Sequence, residues 1–273
     1  MAKGESVFGE SVKRLIRRRL KVTAHPYEGL PLVLVTGIGR SGTTVLRHAL
    51  GAHADVDSTG TENNIIQDVL AAALYNCTFE SRKANMHVAP PAYHRQFGML
   101  FLNLLWPQPR KGRARPRMLM ASSDVRPDQA EYLCEVLPGT RYVYIVRNGI
   151  EVVSSRMAFR TFMDKPFEWH CEVWSATRKL AAWGAERRDF LTVRHEELLD
   201  RERAEQAVRR ILEDAGLRFR RECVDVLLNK TFHPTQFENE KKDATADLSR
   251  RAERWRLWTD AQRRTFGRIC GDA

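Results

Sequence analysis

Short apolar runs alternate along this chain with longer segments whose apolar residues recur every three or four positions. The first run, Leu30-Pro-Leu-Val-Leu-Val-Thr36, is rich in β-branched residues and predicts a buried parallel strand. Met118–Ala121, Arg141–Val146 and Phe190–Val193 repeat the pattern. Helical spacing appears at Val45, Leu46, Ala49 and Leu50. It returns in Asn64–Tyr75, Pro127–Leu137, Gly149–Phe159, Trp169–Glu186 and Glu205–Ala215. Pro138-Gly139 and Gly216 close two of these helices, and Pro90 and Pro91 read as a break. Strands alternating with helices predict an α/β fold: a central, mainly parallel sheet flanked by helices. No internal repeat or linker interrupts the pattern. One domain over residues 1–273 is therefore expected, with residues 1–29 as a basic N-terminal extension. Phe237–Leu248 is polar and irregular, an ordered flap or a surface loop.

Composition narrows the classes. The 273 residues include 45 Lys plus Arg against 34 Asp plus Glu, a net charge of +11, and 43% are apolar. This is too apolar for a disordered chain and enough for a full core. No apolar run approaches the roughly 18 residues of a membrane span. The basic excess points to an anionic partner: nucleic acid, membrane surface, polysaccharide or phosphorylated cofactor. Ser11–Leu20, with Lys13, Arg14, Arg17, Arg18 and Arg19, reads as a solvated N-terminal helix. Weak contact with an anionic surface is its alternative reading. Arg110–Arg117 holds five more cations. The five cysteines show no CxxC spacing, which argues against a disulfide framework or a zinc site and for a cytoplasmic protein.

Gly37-Ile-Gly-Arg-Ser-Gly-Thr-Thr44 follows the first strand and opens a helix. Against the phosphate-loop pattern GxxxxGK[ST], Gly37, Gly42 and Thr44 match, and Thr43 stands where the lysine belongs. The physics of an anion cradle survives: glycines permit the tight turn, N–H groups point inward, and the helix N-terminus adds positive charge. The lysine that reaches a terminal phosphate is missing, and Arg40 is the nearest cation. The alternative is a Gly-rich turn without chemistry. A second anion site begins at Arg147, directly after the strand Arg141–Val146, with Ser155 eight residues on. Ligands of open α/β sheets bind at such strand ends, and a guanidinium and a hydroxyl there can meet one phosphate. Ser155 can equally cap or pack.

Taken together, these elements resemble the cofactor site of sulfotransferases that use 3′-phosphoadenosine 5′-phosphosulfate (PAPS). Gly39-Arg-Ser-Gly-Thr-Thr44 resembles the family's 5′-phosphosulfate loop, in the form found in tyrosylprotein and many bacterial members. Val146-Arg-Asn-Gly-Ile-Glu-Val-Val-Ser-Ser155 resembles its 3′-phosphate motif, and Val193-Arg-His-Glu-Glu-Leu198 its Arg-Tyr-Glu-Asp-Leu strand end. The tail Arg254-Trp-Arg-Leu-Trp-Thr is also similar. The resemblance implies a fold like that of phosphate-loop NTPases, a PAPS co-substrate, adenosine 3′,5′-bisphosphate as product, and no required metal. It implies that Gly39, Arg40, Ser41, Gly42, Thr43 and Thr44 hold the 5′-phosphosulfate, and that Arg147 and Ser155 read the 3′-phosphate. His195, in place of the family's tyrosine, packs near adenine, and Arg254 closes over the cofactor or belongs to a solvated basic face, as do Arg250 and Arg251.

Sulfuryl transfer is an in-line displacement in which charge builds on the leaving 5′-phosphate oxygen, and Arg40 suits that charge. The acceptor needs a general base. Glu62, after Gly60 and Thr61, is the candidate; its alternative is an exposed acid at a helix start. His53 and His48 are runners-up, with His53 expected to cap or pack. Many relatives carry a lysine 25 residues before the 3′-phosphate arginine, and this chain has Ser122 there. Arg40 alone, Arg126 or a C-terminal arginine would replace it. Tyr75, Phe79, Tyr93, Phe97, Trp106, Phe159, Phe162 and Phe167 are acceptor-lining candidates or core. The expected activity is PAPS-dependent sulfuryl transfer to a hydroxyl or amine of a small-molecule, glycan or lipid acceptor. A phosphate-loop kinase or nucleotide-binding regulator is the alternative. Nucleic-acid binding is not expected, because no readout module accompanies the charge.

Overall fold

The computed structural model describes residues 25–62, 64–78, 90–107, 115–229 and 254–271. The basic stretch Ser11–Leu20, Phe79, Arg110, Phe237–Leu248, Arg250 and Arg251 lie outside the described residues. The sheet is built on the central strands β1 (Leu32–Thr36), β3 (Met118–Ser122) and β4 (Arg141–Val146). Side chains alternate across a strand, and here both faces are covered. Leu32 and Leu34 join one apolar cluster with Leu119, Ala121, Tyr142 and Tyr144. Val33 and Val35 join the other with Met118, Met120, Val143 and Ile145. A strand with two buried faces favours apolar residues, and β1 and β3, buried at every position, are apolar up to the Thr36 and Ser122 that end them.

Two edge strands complete the sheet, β2 (Val56–Glu62) and β5 (Phe190–Arg194). The order is β2-β3-β1-β4-β5 and every pairing is parallel. Helices α1 (Thr43–Gly51), α7 (Arg201–Asp214) and α8 (Arg221–Asn229) cover one face. Helices α2 (Ile65–Thr78), α3 (Pro90–Leu105) and α4 (Pro127–Val136) cover the other. Helices α5 (Gly149–Met157), α6 (Phe167–Gly184) and α9 (Asp260–Cys270) share a third cluster around Val153, Phe167, Cys171, Trp258 and Cys270. No helix among the described residues is long and apolar enough to cross a membrane.

Two elements depart from the sequence reading. Pro90 and Pro91 begin α3 rather than only interrupting the chain, because proline is favoured in a helix's first turn, where its missing N–H has no partner to lose. The stretch Val56–Glu62, read as a connection leading to a helix start, is the edge strand β2.

The connections explain where a ligand belongs. From β1 the chain crosses to β2 on one side, and from β4 it crosses to β5 on the other. β1 and β4 are neighbours, so their carboxyl ends open into a crevice at a topological switch point. Gly37–Gly42 and Arg147–Asn148 leave the sheet there.

Candidate functional site

The loop after β1 is shaped by three residues with positive φ. Gly37 has φ +145°, and a Cβ there would stand 2.6 Å from the Ile145 carbonyl oxygen of β4. Gly42 has φ +103°, and a Cβ would stand 2.5 Å from His195 Cδ2. Arg40, at φ 83°, is the only non-glycine in this region among the described residues. Such a conformation costs on the order of 1–2 kcal/mol for a residue with a Cβ, so something must hold it.

The second motif supplies the hold. Arg147 Nη1 donates to the Arg40 carbonyl at 3.1 Å. Ser155, two turns along α5, accepts from Arg40 Nε at 3.2 Å. Arg156 Nη1 approaches the Gly39 carbonyl at 3.4 Å. Carbonyls 39 and 40 are thus engaged by one cation on α5, Arg156, and one just before it, Arg147. The loop and the N-terminus of α1 form a cradle for an anion.

Arg147 is itself braced. Its Nε and Nη2 donate to Glu151 Oε2 at 2.9 and 2.7 Å, one helical turn away. Three of its five N–H donors are thus engaged and two remain for a ligand. Asn148 caps α5 by accepting from the Ile150 amide at 2.9 Å. Glu196 accepts from the Asn148 amide at 3.1 Å, tying in the turn His195–Leu198.

Several polar atoms here are buried with no hydrogen-bond partner among the described residues. They are the hydroxyls of Thr36, Ser41, Ser123 and Ser154, and His195 Nδ1. Orphaned buried polar groups are costly and need an explanation. Hydroxyls, loop amides and guanidiniums form a donor set that fits a compact polyanion carrying phosphate or sulfate groups. Burial first, and then the charge of Arg147, push the His195 pKa down to about 4, so the ring is neutral at pH 7. It lies under Gly42 and braces the loop.

Glu62 ends β2, exposed, with Ser122 of β3 as its register partner. Its charge acts on Arg47, a buried guanidinium of α1 whose pKa burial lowers and Glu62 raises. Arg47 is thus a cation that the structure puts beside Glu62. Two residues beyond Ser122, Asp124 is pushed up to about 6, chiefly by burial and then by Glu62, against the pull of Arg156.

His53 is buried and packs as expected: its Nε2 meets the Arg218 carbonyl at 3.0 Å, and its Nδ1 accepts from the Asp55 amide at 3.1 Å. His48 is exposed on α1. Arg126 pairs with Asp128 at 2.9 Å, at the start of α4, and is spent there. Arg254 opens the turn Arg254–Leu257, which is anchored beside α5 through Trp255 and Trp258. Thr43 is buried and Thr44 exposed on α1.

The aromatic candidates divide. Trp106 is core, and Phe167 packs on Trp258 with ring centroids 5.0 Å apart. Tyr93 and Phe97 stack on each other at 4.6 Å along α3, and Tyr75 is exposed. Phe159 and Phe162 stand at the loop, 4.5 Å from the Arg40 guanidinium and 4.3 Å from that of Arg156 respectively. Trp169, 5.0 Å from Arg156, joins them. Sequence reasoning missed Arg156, Asp124 and Trp169. Asp124 stands in Ser-Ser-Asp just past a buried strand, but the sequence does not show that it is buried or what lies beside it.

Comparison with known proteins agrees with this geometry. A model of the sulfotransferase family matches residues 31–221. Protein-tyrosine sulfotransferase of Drosophila melanogaster is 25% identical over 129 residues, 46% of this chain and 25% of that protein. The chain therefore matches about a quarter of that relative's length. The sulfotransferase domain of the Synechococcus olefin synthase superposes with TM-score 0.52 at 18% identity, covering 84% of this chain and 88% of that one. The sulfotransferase domain of the curacin biosynthetic pathway gives 0.52 at 14%, over 88% and 97%. Both are likenesses of fold.

Proposed function

Since the chain belongs to the sulfotransferase family, we propose that it transfers a sulfuryl group from PAPS to a hydroxyl or amine of a small-molecule, glycan or lipid acceptor. One observation carries this reading: Arg147 and Ser155 both close on Arg40, so the two anion motifs form a single site. A donor with phosphates at both the 5′ and 3′ positions has two anionic groups to fill it.

In this reading Gly39, Arg40, Ser41, Gly42, Thr43 and Thr44 hold the 5′-phosphosulfate. Arg147 and Ser155 hold the 3′-phosphate, His195 braces the loop beside the nucleotide, and Arg254 covers it. When bound, the donor supplies an activated sulfuryl group, whose S–O bond to the 5′-phosphate breaks as the acceptor's bond to sulfur forms. Arg40 and the loop amides stabilise the charge that develops on the leaving oxygen. Glu62 takes the acceptor's proton. Phe159, Phe162 and Trp169 line the acceptor side and exclude water. No metal is assigned a part, since a sulfuryl donor carries no γ-phosphate for magnesium to bridge. Five free thiols support a cytoplasmic location.

The test is binding followed by turnover. Adenosine 3′,5′-bisphosphate should raise the melting temperature more than ATP with magnesium does. Stabilisation by ATP with magnesium alone would refute the donor assignment. A labelled-donor screen over phenols, amines, glycans, lipids and a tyrosyl peptide then identifies the acceptor. The peptide is included because of the name of the Drosophila relative.

A further inference from the structure

Arg40 and Arg147 have parts in the reading above, and Arg156 is left over. It follows Ser155 on α5, and its side chain is only 4% exposed. Phe162 and Trp169 stand over its guanidinium at 4.3 and 5.0 Å. Nη1 makes one long contact with the Gly39 carbonyl, 3.4 Å. The Nε–H is buried with no partner among the described residues. No carboxylate of the described residues forms an ion pair with it, although Asp124 acts on it from further away.

An unpaired guanidinium in such a place is destabilising. The cost rises because Arg40 sits close enough to repel it. A buried guanidinium held against a loop carbonyl and two aromatic faces is favoured further when an anion joins it. The orphan Nε–H and the remaining Nη hydrogens are the donors such an anion would take.

Its location says which anion. Arg147 and Ser155 grip the loop at Arg40. Arg156 touches it one residue earlier, at Gly39. It is also the cation that Asp124 senses, and Asp124 in turn senses Glu62. Arg156 and Glu62 thus both act on Asp124, two residues past Ser122, with which Glu62 pairs in register. A group passing from the loop to an acceptor beside Glu62 must lie between them.

We propose that Arg156 binds the transferred sulfuryl group of the donor and supplies there the positive charge that the chain lacks at Ser122. The inference rests on the donor reading given above. It makes Arg156 a catalytic residue, distinct from those that hold the nucleotide's phosphates. Charge on the sulfuryl oxygens is met by a fork that Phe162 and Trp169 keep oriented and dry.

The experiment compares two ligands that differ only by the sulfuryl group. Adenosine 3′,5′-bisphosphate and intact PAPS are titrated calorimetrically into wild type, Arg156→Met and Arg156→Lys. Wild type should bind both. Arg156→Met, which keeps the apolar stem, should bind the bisphosphate within about threefold of wild type and lose about tenfold or more for PAPS, the worth of a charged hydrogen bond. Arg156→Lys should recover part of that loss. If Arg156→Met fails to fold, the lysine variant carries the comparison, with PAPS again weakened more than the bisphosphate. Equal weakening of both ligands, or none, would overturn the inference. Wild type that binds neither would overturn the donor reading first, and this inference with it.

Discussion

Alanine at Gly42 separates the conformational demand of the loop from its packing against His195. The native backbone there has φ 103° and ψ 10°. A residue with a Cβ pays about 1–2 kcal/mol for that region. The added Cβ would also stand 2.5 Å from His195 Cδ2 and 3.2 Å from Nε2. The ring is half-buried beside Arg147, so relieving the overlap means moving the turn His195–Leu198 or the loop, at about 1–3 kcal/mol. Gly42→Ala should therefore cost about 2–5 kcal/mol, a fall in melting temperature of roughly 5–15 °C for a chain of this size. Gly139→Ala is the control: its φ is +84° with nothing within 4 Å of the added Cβ, so it bears the backbone cost alone. Combining Gly42→Ala with His195→Ala should return the packing part and leave the backbone part. Urea unfolding followed by circular dichroism measures all four proteins. If Gly42→Ala is no worse than Gly139→Ala, or if removing the ring gives no relief, the claim that His195 braces the loop is wrong.

Three further predictions concern charge. Arg147→Ala removes the donor to the Arg40 carbonyl and the two N–H groups left for a ligand. Adenosine 3′,5′-bisphosphate should bind about 10- to 100-fold more weakly by calorimetry, while Glu151→Gln, which frees rather than removes the arginine, should not weaken it. Glu62→Gln should leave bisphosphate binding unchanged and slow transfer by about 10²- to 10⁴-fold; undiminished turnover would remove Glu62 from the base role. Asp124 has a folded pKa of about 6 against an unfolded value near 3.8. The unfolded chain releases this proton first as pH rises, so the group lowers stability progressively between about pH 4 and pH 6 and by up to about 3 kcal/mol above that. Asp124→Asn should therefore melt higher than wild type at pH 7.5 and equally at pH 3.5. Equal melting at both values would show that the carboxyl is not held above its ordinary range.

The legible parts of the fold were those whose burial leaves no choice of residue. β1 and β3 are covered on both faces, so all but their last positions, Thr36 and Ser122, are apolar and the strands stand out. β2 was invisible for the complementary reason. It is an edge strand reading Val-Asp-Ser-Thr-Gly-Thr-Glu, with a single large apolar residue and an irregular register between Ser58 and Glu62. The prolines at 90 and 91 carry opposite meanings for the chain before and after them, and only the first was read. Within the site, the glycine loop and the Arg147–Ser155 spacing were readable because tight turns and strand ends constrain residue type locally. Arg156 and Asp124 were not, since what distinguishes them is burial and long-range proximity across strands β1 and β3. Neither leaves a mark in sequence spacing.

That contrast identifies the element on which the site depends. The loop after β1 is strained at Arg40, and its carbonyls are restrained through Arg147, at the turn into α5, and Arg156 of α5, with Ser155 holding the Arg40 side chain. The placement of α5 is therefore the placement of the loop. Helix α5 is seated in turn by Gly149, where a Cβ would stand 2.6 Å from Trp174 of α6, and by Val153 in the cluster with Trp258 and Cys270 of the tail. The tail thus bears on the site through Trp255 and Trp258, which pack on the helix that holds the loop, and Arg254 opens the same turn. A truncation before residue 254 removes all three, so loss of bisphosphate binding on truncation would not by itself assign a role to Arg254. Arg254→Ala leaves Trp258 in place, and only that substitution isolates the arginine's contribution.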